Sequence, residues 1–107
     1  MIEKHTETIV QKRYLKDLVG VPQEVKAASP EDEKLHGPIS LARDPEGFIC
    51  VYCLVEKGER TPKNQHLYIQ LVANDGPVPG QECNFLGTVN GRDLHMFWWV
   101  VQTKSEE

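Results

Sequence analysis

Long apolar runs are missing from this chain. No uninterrupted apolar stretch in its 107 residues approaches the roughly 18 needed to cross a bilayer as a helix. The opening MIEKHTET has no apolar segment of the kind a secretory leader carries, so no export signal is expected. Cysteine is scarce: three residues, an odd number, which does not suit a disulfide framework and points to a reducing cytoplasm. Basic charge is in deficit, with 12 Lys and Arg against 16 Asp and Glu and a formal net charge of −4. That balance argues against a general nucleic-acid binder, whose affinity rests on neutralising phosphates. No strong catalytic motif, internal repeat or low-complexity tract is present.

What is there suits a single small domain over residues 1–107, with residues 1–5 and 103–107 expected to be disordered. The apolar share of 39% and the charged share of 26% are ordinary for a globular chain. The most informative stretch is 84–102, NFLGTVNGRDLHMFWWVVQ. Two apolar runs flank Asn90-Gly91, and Asn-Gly is the strongest short hairpin signal because a type I′ turn needs positive φ at both central positions. A two-residue loop there pairs Val89 with Arg92, Thr88 with Asp93, Leu86 with His95 and Phe85 with Met96. The period of two then assigns Phe85, Gly87, Val89, Leu94, Met96, Trp98 and Val100 to a core face. The other face carries Leu86, Thr88, Asp93, His95, Phe97, Trp99 and Val101, a mixture that suits a ligand platform or a subunit interface.

Upstream, residues 6–21 read as a helix or a strand, closed by Gly20, Val21 and Pro22. Residues 25–35 are polar and acidic and read as a surface loop. From Gly37 the signals are β: a short strand at 39–43, a turn at Asp44-Pro45-Glu46-Gly47, and a central strand at 48–55, FICVYCLV, apolar on both faces. A charged loop follows at 56–65. Residues 67–73 alternate, with Leu67, Ile69, Leu71 and Ala73 against Tyr68, Gln70 and Val72. Residues 74–81 form a turn-rich loop, stiffened by its prolines and lacking the glycine spacing of a phosphate-binding loop. The expected fold is mainly β: a small antiparallel β-sandwich or barrel-like meander of five to six strands, with one short N-terminal helix if 6–19 is helical. Closure, a second sheet or a second copy is needed, because each large apolar side chain left in water forgoes roughly 1.5–3 kcal/mol.

The order of several short motifs resembles a family of short β-rich proteins encoded mostly by phages and prophages. The matching segments are residues 9–15, 39–55, Gly76-Pro77-Val78-Pro79, Phe85-Leu86-Gly87-Thr88 and His95-Met96-Phe97. The chain departs from that pattern at Gly76, where the family commonly has a histidine, and at 25–37, which looks like an insertion. The resemblance implies a strand at 8–15 and a phage accessory role; it implies no reaction.

Candidate site residues follow from the hairpin's second face and the charged loop. Asp93 beside His95 is a pairing that sets a tautomer and raises basicity, with Thr88 opposite; the alternative is a self-satisfied polar cluster. Trp99 is the surplus aromatic, since adjacent Trp98 and Trp99 face opposite ways, and it serves either a base-stacking platform or a covered interface. Arg60, Lys63 and His66, with Lys57, in a flexible loop can grip a phosphate or an acidic partner; the alternative is a solvated charged loop. Cys50 and Cys53, three apart on a strand, point to opposite faces and read as structural rather than redox or zinc-binding. No catalytic, metal or cofactor residue is assigned. The expected function is non-enzymatic sequestration of a small nucleotide-like immune signal by Trp99, His95, Asp93, Thr88, Arg60, Lys63 and His66. The alternative is a protein-interaction module that blocks a host or assembly partner through the aromatic face. A small phosphodiesterase using His95 comes third. A homo-oligomer, most simply a dimer, is expected, with no membrane and no bulk nucleic acid as partner.

Overall fold

The computed structural model describes residues 7–89 and 93–104. Within them lie seven strands and no helix: β1 (Glu7–Tyr14), β2 (Gln23–Val25), β3 (Glu33–Arg43), β4 (Ile49–Lys57), β5 (Gln65–Ala73), β6 (Asn84–Val89) and β7 (Leu94–Gln102). They form two antiparallel sheets, one ordered β1-β4-β3 and the other β2-β5-β7-β6. The architecture is a small β-sandwich and not a closed barrel. The helical alternative for 6–19 is therefore set aside in favour of a strand, as the alternating exposure along β1 requires.

β4 is central in its sheet, which is why FICVYCLV is apolar on both faces. Ile49, Val51, Cys53 and Val55 enter the inter-sheet core, where they meet Leu67, Ile69 and Leu71 of β5, Val89 of β6, and Leu94 and Met96 of β7. Cys50 points the other way; it is fully buried outside that cluster, with its thiol 3.6 Å from the Ala42 carbonyl. The opposite-face reading of the two cysteines holds, and all three cysteines are free. The β3–β4 turn is built as expected: the Asp44 carboxylate accepts from the Glu46 and Phe48 amides, and the Gly47 amide donates to the Asp44 carbonyl.

Three expectations are corrected. Residues 25–35 are not a simple surface loop: they hold the end of β2 and the start of an 11-residue β3. Polar Glu33, Lys34 and His36 hid that strand. It also carries irregularities between Leu35 and Gly37 and between Pro38 and Ser40, which an edge strand tolerates. Gly37 there has φ +146, and a Cβ on it would lie 3.5 Å from the Trp98 ring, so that indole packs over bare backbone.

The closing hairpin is shifted by two residues from its expected register beside the turn, and by one residue beyond Gly87. Val89 pairs with Leu94, Thr88 with His95 and Gly87 with Met96, and an irregularity between Phe85 and Gly87 then sets Phe85 opposite Phe97. The Asn90-Gly91 turn itself lies outside the described residues; Asp93, the last residue before β7, has φ 47. The irregularity turns Leu86 toward the core and leaves Phe85, expected inside, 59% exposed. At the chain ends, residues 1–5 and 105–107 lie outside the described residues. Thr103, assigned to a disordered end, instead exchanges hydrogen bonds with Asn64: its amide donates to the Asn64 carbonyl at 2.8 Å, and its carbonyl accepts from Asn64 Nδ2 at 3.1 Å.

Candidate binding surface

The second sheet buries one face and presents the other. Its pairing sets Tyr68 opposite Trp99, Gln70 opposite Phe97, Val72 opposite His95 and His66 opposite Val101. With the period of two, these residues share the outer face. Tyr68 and Trp99 stack with centroids 5.9 Å apart and planes 24° apart. His66 continues the row, 6.4 Å from Tyr68, and Phe85 and Phe97 form a second aromatic pair at 5.4 Å. Trp99 is only 7% exposed. It lies in a groove of about 630 Å³ whose walls are Pro22 and residues 77–81 and whose floor includes Tyr68, Gln70 and Val101. The proline-rich loop therefore does more than stiffen a turn: it walls the aromatic row. Among the described residues no charged side chain lines this groove.

The polar end of the same face is organised around His95. Its Nδ1 lies 2.9 Å from Thr88 Oγ1 and its Nε2 2.7 Å from Asn74 Oδ1. A neutral imidazole satisfies both, with the Thr88 hydroxyl donating to Nδ1 and Nε2–H donating to Asn74. Asp93 is not the orienting partner: Asn74 is, and Thr88 stands opposite His95 rather than Asp93. Both ring nitrogens of His95 are thus engaged, which fixes the orientation of the ring between β6 and the 74–81 loop.

The 56–66 loop is pinned rather than flexible. The Gly58 amide donates to the Asp32 carbonyl, the Thr61 amide to the Pro30 carbonyl, and the Thr61 hydroxyl to the Glu33 carbonyl at 2.6 Å. Its cations face acids of the neighbouring segment. Lys57 Nζ is 3.2 Å from buried Glu33, and Arg60 and Lys63 line a shallow hollow with Glu31 and Asp32. His66 Nδ1 lies 2.9 Å from Glu24 Oε2. Glu33 itself accepts from the Ser29 amide at 2.9 Å and from Gln11 Nε2 at 3.2 Å. The Ser29 amide, together with Gln11 and Lys57, holds its carboxyl below the ordinary value against the opposing effect of burial.

The expected site residues thus fall into three groups: Thr88 with His95, Trp99 in the walled groove, and Arg60 with Lys63 beside the acidic segment. His66 is the link, since its ring adjoins Tyr68 and it also lines a cavity with Lys63. Tyr68, Gln70 and Asn74 were missed as site residues. The alternation of β5 had put Tyr68 and Gln70 on one face, but only the pairing with β7 reveals that this is the face of Trp99. Among the described residues no group of three or more His, Cys, Asp or Glu side chains is placed to hold a metal ion, and no helix is long and apolar enough to cross a membrane. A scan against protein-family models and searches of curated proteins and solved structures match nothing.

Proposed function

We propose that this chain is a non-enzymatic binding protein that recognises its target on the aromatic outer face of the second sheet, with a small nucleotide-like molecule as the first candidate. The Tyr68–Trp99 stack inside a walled groove is the observation that carries this reading. Half-buried Tyr68 offers a ring on which a base can stack, and such stacking is worth about 1–3 kcal/mol. The described lining of the groove is uncharged, so the base is read there and any phosphate is met beyond His66, toward Lys63. The resemblance to phage-encoded proteins is what suggests an immune signal and an anti-defence role; free thiols suit a cytoplasmic setting.

Titrating the protein with nucleotides and following tryptophan fluorescence tests this. Saturable quenching that weakens by roughly 5- to 150-fold in Tyr68→Ala is expected, the equivalent of the stacking range. Arg60→Ala with Lys63→Ala should weaken nucleotides more than nucleosides. No quenching by any common nucleotide in a folded protein defeats the reading.

A protein partner is the second reading, favoured by the uncharged groove and by Phe85 at 59% exposure beside it in the same sheet. A second copy of the chain is one such partner. In that case light scattering reports a multimer at micromolar concentration, and Phe85→Ala shifts it to monomer.

A further inference from the structure

The end of the sandwich where β2 meets the 56–66 loop holds a second concavity that shares no lining residue with the outer-face groove. Its volume is about 220 Å³. Its apolar lining comes from the core itself: Val25, Ala27, Leu35 and Leu67 are all at most 5% exposed. Lys26 and Lys63, both exposed, complete it, together with Thr61 and His66. A pocket with an apolar floor and a few converging polar groups is the ordinary form of a small-molecule site.

The walls are fixed in advance. Thr61 accepts from the Leu35 amide at 3.1 Å and donates to the Glu33 carbonyl. The Gln65 amide donates to the Pro62 carbonyl at 3.1 Å. On the other side, Ala28 donates its amide to Gln11 Oε1 at 2.8 Å and Ser29 donates to buried Glu33, which holds the 27–30 segment in place. Glu24 also lines the cavity, but its carboxylate is tied to His66 at 2.9 Å, which leaves Lys26 and Lys63 as the lysines at the opening. A pocket whose walls are held by hydrogen bonds does not need to be ordered at the expense of the ligand.

We propose that this cavity binds a small amphipathic anion: a compact apolar body, ring-sized or branched, carrying one carboxylate. The size supports it, since a dry cavity of about 150 Å³ accepts benzene and this one is larger by room for a head group. The body displaces the cavity's solvent against Leu35 and Leu67, and the carboxylate takes charge-assisted hydrogen bonds from Lys26 and Lys63. This site shares Lys63 with the outer-face reading but no residue of its groove, so shifts at Leu35 and Leu67 report on this site alone and either reading can fail without the other.

Benzoate is the probe, with benzyl alcohol as its neutral counterpart, followed by methyl and backbone chemical shifts. Expected are saturable shifts at Leu35 and Leu67 with benzoate at up to about 10 mM, a weak but real affinity for so few atoms. Lys26→Ala with Lys63→Ala, both at exposed positions, should weaken benzoate roughly tenfold and leave benzyl alcohol unchanged. Ala27→Leu, filling the floor, should abolish both. If that variant does not fold, the lysine pair decides. No saturable shift at Leu35 and Leu67 overturns the proposal. So do shifts confined to Tyr68 and Trp99, or benzoate binding indifferent to the lysine pair.

Discussion

Replacing Glu33 by Gln removes one charge and almost no volume from a carboxylate that is 4% exposed. One oxygen takes the Ser29 amide and Gln11 Nε2; the other takes Lys57 Nζ. A Gln keeps a single acceptor, so its NH₂ must face either an amide donor or an ammonium. Leaving a buried donor unmatched costs about 1–3 kcal/mol. Lys57 is half-exposed, so its own share is at the small end. Urea unfolding near neutral pH should therefore show Glu33→Gln less stable by about 1–3 kcal/mol. The pH dependence has a definite sign. The folded-state carboxyl is held below the ordinary 4.5, first by the Ser29 amide. Its contribution is fully present above that value and is lost as pH falls through the lower folded-state value. The gap between the native protein and Glu33→Gln should be constant at neutral pH and close in acid. A variant as stable as the native protein at neutral pH, or a gap that persists unchanged in acid, refutes the reasoning.

Met96 is fully buried, so Met96→Ala should cost roughly 2–5 kcal/mol in urea unfolding. Phe85→Ala, although one expects a core loss from the sequence, should cost about 1 kcal/mol or less, because the ring is exposed and its one aromatic contact is with Phe97. Thiol labelling of the native protein should find Cys83 reacting first. Burial pushes the Cys53 thiol up to about 11 and leaves Cys50 without access, so both should react only on unfolding. Rapid labelling of Cys53 at mildly alkaline pH contradicts that environment.

Where composition and burial coincide, the fold was legible. FICVYCLV pointed to a central strand, and β4 is flanked on both edges with Ile49, Val51, Cys53 and Val55 in the core; Trp98 and Trp99 do face opposite ways. The first half of β3 was not, because Glu33, an acid, is buried with partners that include Gln11 and Lys57, 22 and 24 residues away and outside any local window. The hairpin register failed because four residues, not two, separate the paired Val89 and Leu94. A single irregularity at Leu86 exchanges inside for outside without altering the alternation one reads. The site residues were individually well chosen by type and wrongly assembled. Asp93 next to His95 looks like a pair along the strand, yet the imidazole finds Asn74 across from it. Arg60 and Lys63 look free in a loop, yet they line a hollow shared with Glu31 and Asp32.

β7 lies between β5 and β6, which do not touch each other in the sheet. The order of synthesis gives that placement a consequence. When a ribosome has made everything up to Val89, β5 has beside it only the three residues of β2 and the bridge from Val19 to Leu71, and β6 has no partner strand in its own sheet. Ile69, Leu71 and Val89, buried in the finished molecule, then wait with an open hydrogen-bonding edge next to them. Such an edge recruits other nascent chains. A chain stopped after Val89 is expected to be protease-sensitive and to aggregate, with the second sheet appearing only once β7 is added. A soluble, protease-resistant product from that shortened chain, in limited proteolysis, would mean that the first sheet folds and shields β5 without it.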